Sequence, residues 1–193
     1  MGEVEGQTRS EELDVEREAR RRAALALVRQ YPDPVLRLKA REVEDLDESV
    51  AALVERMTML MDEARGVGLA APQVGILRRV LVYRTDEEEP PVALVNPRLV
   101  SASDEVETSD EGCLSLGAAT VVVPVERPTG VTVEAVSPTG EEVRMEAEGL
   151  TARVLQHELD HLDGILTIDR TTPEDRRAAL GQLRPQPVLG PIA

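Results

Sequence analysis

The chain has one cysteine and two histidines, and all three lie in two short stretches: Glu111-Gly112-Cys113-Leu114-Ser115 and His157-Glu158-Leu159-Asp160-His161. These side chains bind soft or borderline metal ions strongly, so metal chemistry is the first expectation. At 3.6 residues per turn, positions four apart lie on one helical face, and His157 and His161 can offer two imidazole nitrogens to one ion. Glu158 is rotated about 100° from the first ligand, which sets it beside the ion, where it can take a proton from bound water. An apolar stripe of Leu150, Val154, Leu155, Leu159 and Leu162 predicts the helix, with Thr151 as its cap and Gly164 as a left-handed stop. Cys113 alone would read equally well as a buried small hydrophobe. Its flanks, Gly112 beside polar Glu111 and Ser115, favour a ligand.

A third block, Gly66-Val67-Gly68-Leu69-Ala70-Ala71-Pro72-Gln73-Val74-Gly75, is small, apolar and punctuated by glycine, as in a tight helix-to-strand connection. It lacks the lysine of a phosphate-binding loop. With the other two blocks following in this order, the chain closely resembles peptide deformylase, from Tyr31-Pro32-Asp33-Pro34-Val35-Leu36 to Ile168-Asp169-Arg170. The resemblance implies Cys113, His157 and His161 as ligands of one divalent ion, with water in the fourth position. The ligand types suit several divalent metals; the resemblance implies Fe²⁺ in the cell, with Zn²⁺, Ni²⁺ or Co²⁺ taking its place in isolated protein. It implies Glu158 as general acid and base, and Gln73 with the backbone amide of Leu114 as donors to the formyl oxygen. Val67, Leu150 and Val154 match positions near the methionine pocket, and Gly68 and Gly112 leave room for an extended peptide. The implied activity is removal of formyl from the N-terminal formylmethionine of nascent chains, with the formyl-Met peptide as partner and the ribosome as an expected transient one.

The chain departs from the family pattern after Ser115. Leu116-Gly117 replaces the usual isoleucine and proline, and Val125 replaces an arginine after the Val-Pro pair. Thr120 stands near another common arginine, the one assigned to the substrate backbone. Arg127 is the nearest cation and is expected to substitute from a shifted position. The departures predict weaker peptide affinity and altered support for the Glu111 loop.

At 193 residues the chain can bury about two-thirds of its unfolded surface in a single core. With no Phe or Trp and only two Tyr, that core is built from Leu, Val, Ile, Ala and Met. No run approaches the roughly 20 apolar residues of a membrane span, and the acidic start lacks the order of a signal peptide. A single cysteine fits a reducing cytoplasm. The formal net charge of −15 disfavours nucleic-acid binding through phosphate contacts.

The expected organisation is an N-terminal extension over residues 1–25, a catalytic domain over 26–184 and a proline-broken tail over 185–193. The extension, with Arg17, Arg20, Arg21 and Arg22, reads as a solvated helix. Asp47 starts a helix whose apolar spacing runs to Gly66. Segments 79–84, 92–95, 121–123, 130–136 and 142–147 read as strands, and Thr172-Pro173 opens a last helix to Leu183. The class is α+β: antiparallel sheets wrapped around a central helix that carries HExxH. Two other readings compete, a metallopeptidase and a degenerate, metal-stabilised peptide-binding module. The first normally takes its third ligand downstream of the helix, where there is no histidine. The second would be expected to have lost Glu158 or Gln73.

Overall fold

The computed structural model describes residues 2–183, with side chains from residue 14 onward, so the expected tail from Pro185 to Ala193 lies outside the described residues. It is an α+β structure. Helix α1 spans Gly2–Leu25, α2 Glu48–Ala64, α3 Gly149–Leu162 and α4 Pro173–Leu183. The strands are β1 (Gly68–Ala70), β2 (Val80–Tyr83), β3 (Val92–Ala102), β4 (Val106–Gly112), β5 (Val122–Pro128), β6 (Gly130–Val136) and β7 (Glu142–Glu148). They form a five-stranded sheet in the order β1-β2-β3-β6-β7 and a separate β4–β5 pair, and every strand pairing is antiparallel.

Strand β2 explains the layering. Val80, Leu81, Val82 and Tyr83 are all buried, which an alternating strand with one wet face would not need. Val80 and Val82 join α2 residues Val50, Met57, Leu60 and Met61 in one apolar cluster, while Leu81 and Tyr83 face α3 residues Ala152, Leu155, Leu159 and Leu162 in another. The sheet thus lies between two helices. A third cluster of Leu116, Val121, Val123 and Val125 with Leu36, Leu166, Ile168 and Ala179 seats the β4–β5 pair and α4. These clusters are aliphatic, as the composition requires.

Asp47 caps α2, its carboxylate accepting from the Ser49 and Val50 amides. The helix ends at Ala64 on a left-handed Arg65 (φ +58°), so the stop precedes the expected glycine. Thr172 opens α4 by accepting from the Asp175 amide at 3.1 Å. The expected cap of α3 is corrected: the cap position is Glu148, without a side-chain bond, and Thr151 lies inside the helix with its hydroxyl 2.8 Å from that of Thr85. Gly164 does take the left-handed conformation (φ +75°). Two strands escaped the pattern reading altogether. Strand β1 has three residues, and β4, Val-Glu-Thr-Ser-Asp-Glu-Gly, has no apolar alternation because most of it is exposed. Helix α1 is continuous, exposed along most of its described side chains, and docks its last turn into the α2 cluster through Ala24.

Candidate metal centre

Three segments meet at one point. Helix α3 carries His157, Glu158 and His161 on its buried side, the chain leaving β4 carries Cys113, and the short 3₁₀ turn Ala71–Val74 after β1 carries Gln73. Ligand atoms of Cys113, His157 and His161 all lie within 4.8 Å of one another, and the Cys113 Sγ is 3.2 Å from His161 Nε2. One thiolate and two imidazoles at this separation are a donor set that fits a single ion with an open fourth position.

The orientation of His157 is set by Glu111. The imidazole Nδ1 lies 3.1 Å from Glu111 Oε2. An ionised carboxylate only accepts, so Nδ1 carries the proton and Nε2 keeps the lone pair that a metal would use. Glu111 is itself gripped by Arg127, whose Nε donates at 2.6 Å and Nη2 at 3.0 Å, and by Arg153 Nη1 at 2.8 Å. Burial disfavours its charge, yet the hydrogen bonds from His157 and Arg127 hold its carboxyl down to about 2. Arg127 Nη1 also donates at 2.9 Å to Asp160, which Arg170 pairs from the other side. Arg153 further binds the Val125 and Glu107 carbonyls at 3.0 and 2.8 Å, stitching α3 to both strands of the β4–β5 pair.

Arg127 is therefore not the substrate cation it was expected to replace. It is 4% exposed and committed to Glu111 and Asp160. Arg127 and Arg153 brace the Glu111 carboxylate directly, so the loop is supported from these two positions.

Glu158 is 4% exposed, and its Oε2 has no hydrogen-bond partner. Burial pushes its carboxyl up to about 7 against the pull of His157 and Arg127. Gly68 makes room for it: a Cβ there would stand 2.9 Å from Glu158 Cδ and 3.0 Å from Cγ. Gln73 is fixed at both ends of its amide. Its Oε1 accepts from the Ala70 amide at 2.8 Å, and its Nε2 reaches Ser115 Oγ at 3.2 Å with Cys113 Sγ 3.8 Å away. Leu114 is buried next to Cys113, and its carbonyl accepts from Gln30 Nε2 at 2.8 Å. Of the expected substrate residues, Val154 is buried and Gly68 enclosed, Gly112 is exposed, and Val67 and Leu150 are 48% and 54% exposed.

Sequence reasoning missed Arg153 and Gln30, and it named Arg127, Asp160 and Ser115 without the holding roles they have here. One signal was present. Arg153 and His157 are one helical turn apart on α3, and both reach Glu111. A cavity of about 670 Å³ adjoins the Arg127–Asp160 end of this network, lined among others by Lys39, Arg79, Arg127, Gln156, Asp160 and Arg170. None of the three clustered ligands lines it.

Known proteins of one family resemble this chain. A family model described as Polypeptide deformylase matches residues 25–177. The chain is 49% identical over 147 residues to a peptide deformylase of Natranaerobius thermophilus, covering 76% of this chain and 92% of that one. It is 48% identical over 149 residues to one of Clostridium botulinum, covering 77% and 98%. Among solved structures, a peptide deformylase of Thermotoga maritima superposes with TM-score 0.72 at 44% identity, covering 76% of this chain and 97% of that one. A peptide deformylase of Synechococcus elongatus in complex with actinonin gives TM-score 0.76 at 38% identity, covering 80% and 85%.

Proposed function

Because the chain belongs to the polypeptide deformylase family, we propose that it is a metal-dependent amidase that removes formyl from the N-terminal formylmethionine of newly made polypeptides. The observation that carries the reading is the convergence of Cys113, His157 and His161 within 4.8 Å beside the unpartnered carboxylate oxygen of Glu158. A buried oxygen without a partner costs free energy unless a bound group completes it, and a reacting water or amide would do so.

Cys113, His157 and His161 would hold one divalent ion, Fe²⁺ in the cell and Zn²⁺, Ni²⁺ or Co²⁺ after isolation. When bound, the ion supplies Lewis acidity and a water that ionises near neutral pH. Glu158 takes the proton from the attacking water and returns it to the leaving amine. The Gln73 Nε2 and the Leu114 amide hold the formyl oxygen as it gains negative charge; one such donor is typically worth about 3 kcal/mol at the transition state. The direction of the Gln73 amide supports this role, since the Ala70 N–H holds Oε1 and turns Nε2 toward Cys113. Val67, Leu150 and Val154 would contact the methionine side chain and Gly112 would admit its backbone, whereas the space expected beside Gly68 is taken by Glu158.

We read residues 26–184 as the catalytic domain, with α3 as its central helix, residues 1–25 as an extension and 185–193 as a tail. No helix among the described residues is long and apolar enough to cross a membrane. The enzyme is proposed to act in the cytoplasm in brief contact with the ribosome. A metallopeptidase reading needs a third ligand downstream of α3, and upstream Cys113 occupies that place instead. The test is formate release from a formyl-Met peptide, with metal content measured on the same sample. Formate from formyl-Met and no product from acetyl-Met is expected. No formate from a fully metal-loaded sample overturns the reading.

A further inference from the structure

We propose that residues 29–31 form a strap that aligns the two oxyanion donors, with Gln30 as its positioning residue; the inference rests on the deformylase reading above. The Leu114 N–H shares a planar peptide unit with the Cys113 carbonyl, so fixing that carbonyl aims the N–H to the opposite side. The Cys113 carbonyl accepts from the Leu116 amide at 2.9 Å and from the Ala119 amide at 3.0 Å. Ala119 reaches it only because the loop turns left-handed over three successive residues: Gly117 (φ +60°), Ala118 (φ +54°) and Ala119 (φ +64°). Two alanines in that region are disfavoured by their own Cβ atoms, and such a conformation persists only where its surroundings determine it.

Gln30 supplies that determination from a distant part of the chain. Its Oε1 accepts from the Ala118 amide at 3.1 Å, and its Nε2 donates to the Leu114 carbonyl at 2.8 Å and lies 3.3 Å from the Val28 carbonyl. One amide thus holds the loop at both ends of the turn that aims the Leu114 N–H. The neighbours of Gln30 complete the strap. The Arg29 amide donates to the Gln73 carbonyl at 2.7 Å, and the Tyr31 amide donates to the Ser115 carbonyl at 2.9 Å. Three consecutive residues therefore tie together the two loops from which the donors come. The bonds recorded for Gln30 all run to the backbone of this loop and of its own segment, so it acts through Leu114 and Ala118.

Gln30→Met keeps a side chain of similar length and removes both bonds, whereas Gln30→Glu keeps an acceptor for Ala118 and loses the donor to Leu114. With the metal-loaded full chain and a formyl-Met tripeptide, Gln30→Met is expected to lower kcat about tenfold at unchanged KM and metal content. That is less than the 10² to 10³-fold cost of deleting an oxyanion donor outright. Amide hydrogen exchange at Ala118 and Ala119 should quicken at least tenfold in Gln30→Met. In Gln30→Glu the Ala118 amide should stay protected while kcat still falls. A kcat within twofold of wild type in Gln30→Met overturns the proposal. So does a fall in kcat that tracks lost metal, or unchanged exchange across the loop. Formate from wild type separates the two ideas: none at all overturns the deformylase reading, whereas an active wild type with an unaffected Gln30→Met overturns the strap alone.

Discussion

Gly68→Ala tests whether the placement of Glu158 sets the rate. The added Cβ would meet Glu158 Cδ at 2.9 Å and Cγ at 3.0 Å, and Oε1 is nearer still. Ordinary carbon contacts need about 3.5–4.0 Å, so the carboxylate must move by roughly 0.5–1 Å. The backbone raises no objection: Gly68 is absent from the residues of positive φ, and a compatible Gly→Ala change usually stabilises by about 0.4–1 kcal/mol. The methyl group therefore acts on one side chain. A misplacement of about 1 Å can cost on the order of 10²-fold in rate. We expect kcat for formate release to fall about 10²-fold with metal content and thermal midpoint near wild type. Gly130→Ala is the control, because its Cβ would find its nearest neighbour at 3.7 Å. Activity within threefold of wild type in Gly68→Ala would show that Glu158 has room to work from a displaced position, and would refute the reasoning.

Glu158→Gln should retain the ion and lose turnover by about 10² to 10⁴-fold, the usual worth of one general acid and base; metal lost in parallel would assign it a structural role. Cys113→Ala should lower metal occupancy sharply, checked by elemental analysis, since it removes one of three converging ligands. Arg127→Met should destabilise the fold by about 3–5 kcal/mol, because it leaves Glu111 and Asp160 short of a buried partner. Chemical denaturation measures this, and a cost under about 1 kcal/mol would show that Arg153 and Arg170 suffice.

The metal cluster was legible because it uses the single cysteine and the only two histidines of the chain, the histidines at a helical spacing, and spacing survives translation into three dimensions. The same logic found β6 and β7, whose alternation is regular, and α2, whose capping aspartate and apolar stripe agree. It failed where the physics is not periodic. Strand β4 faces solvent along most of its length, so nothing in its side chains marks a strand. Thr151 looked like a cap because threonine caps helices, but its hydroxyl is engaged by Thr85, a partner 66 positions away. Gln30 and Arg127 belong to residue types common on surfaces, and only the fold brings them to the site.

Arg127 shows how the departures from the family pattern are reconciled. In sequence, Val125 was set against an arginine of the family pattern; in the fold its side chain joins the aliphatic cluster with Val123, Leu116 and Cys113. An arginine there would have to desolvate its charge among these groups. Two residues later on β5, side chains return to the same face of the strand, and Arg127 reaches Glu111 from that position with two nitrogens. The pair fixes a carboxylate that in turn fixes His157. Cys113 follows β4, while both histidines ride on α3, so the three ligands converge only if these elements keep their spacing. The Glu111–Arg127–Asp160 chain and Arg153 span that gap with directional bonds, whereas aliphatic packing alone would permit sliding. Peptide affinity is a separate matter. With Arg127 buried against Glu111 and Asp160 and Thr120 uncharged, neither side chain offers a free cation to the proposed peptide substrate.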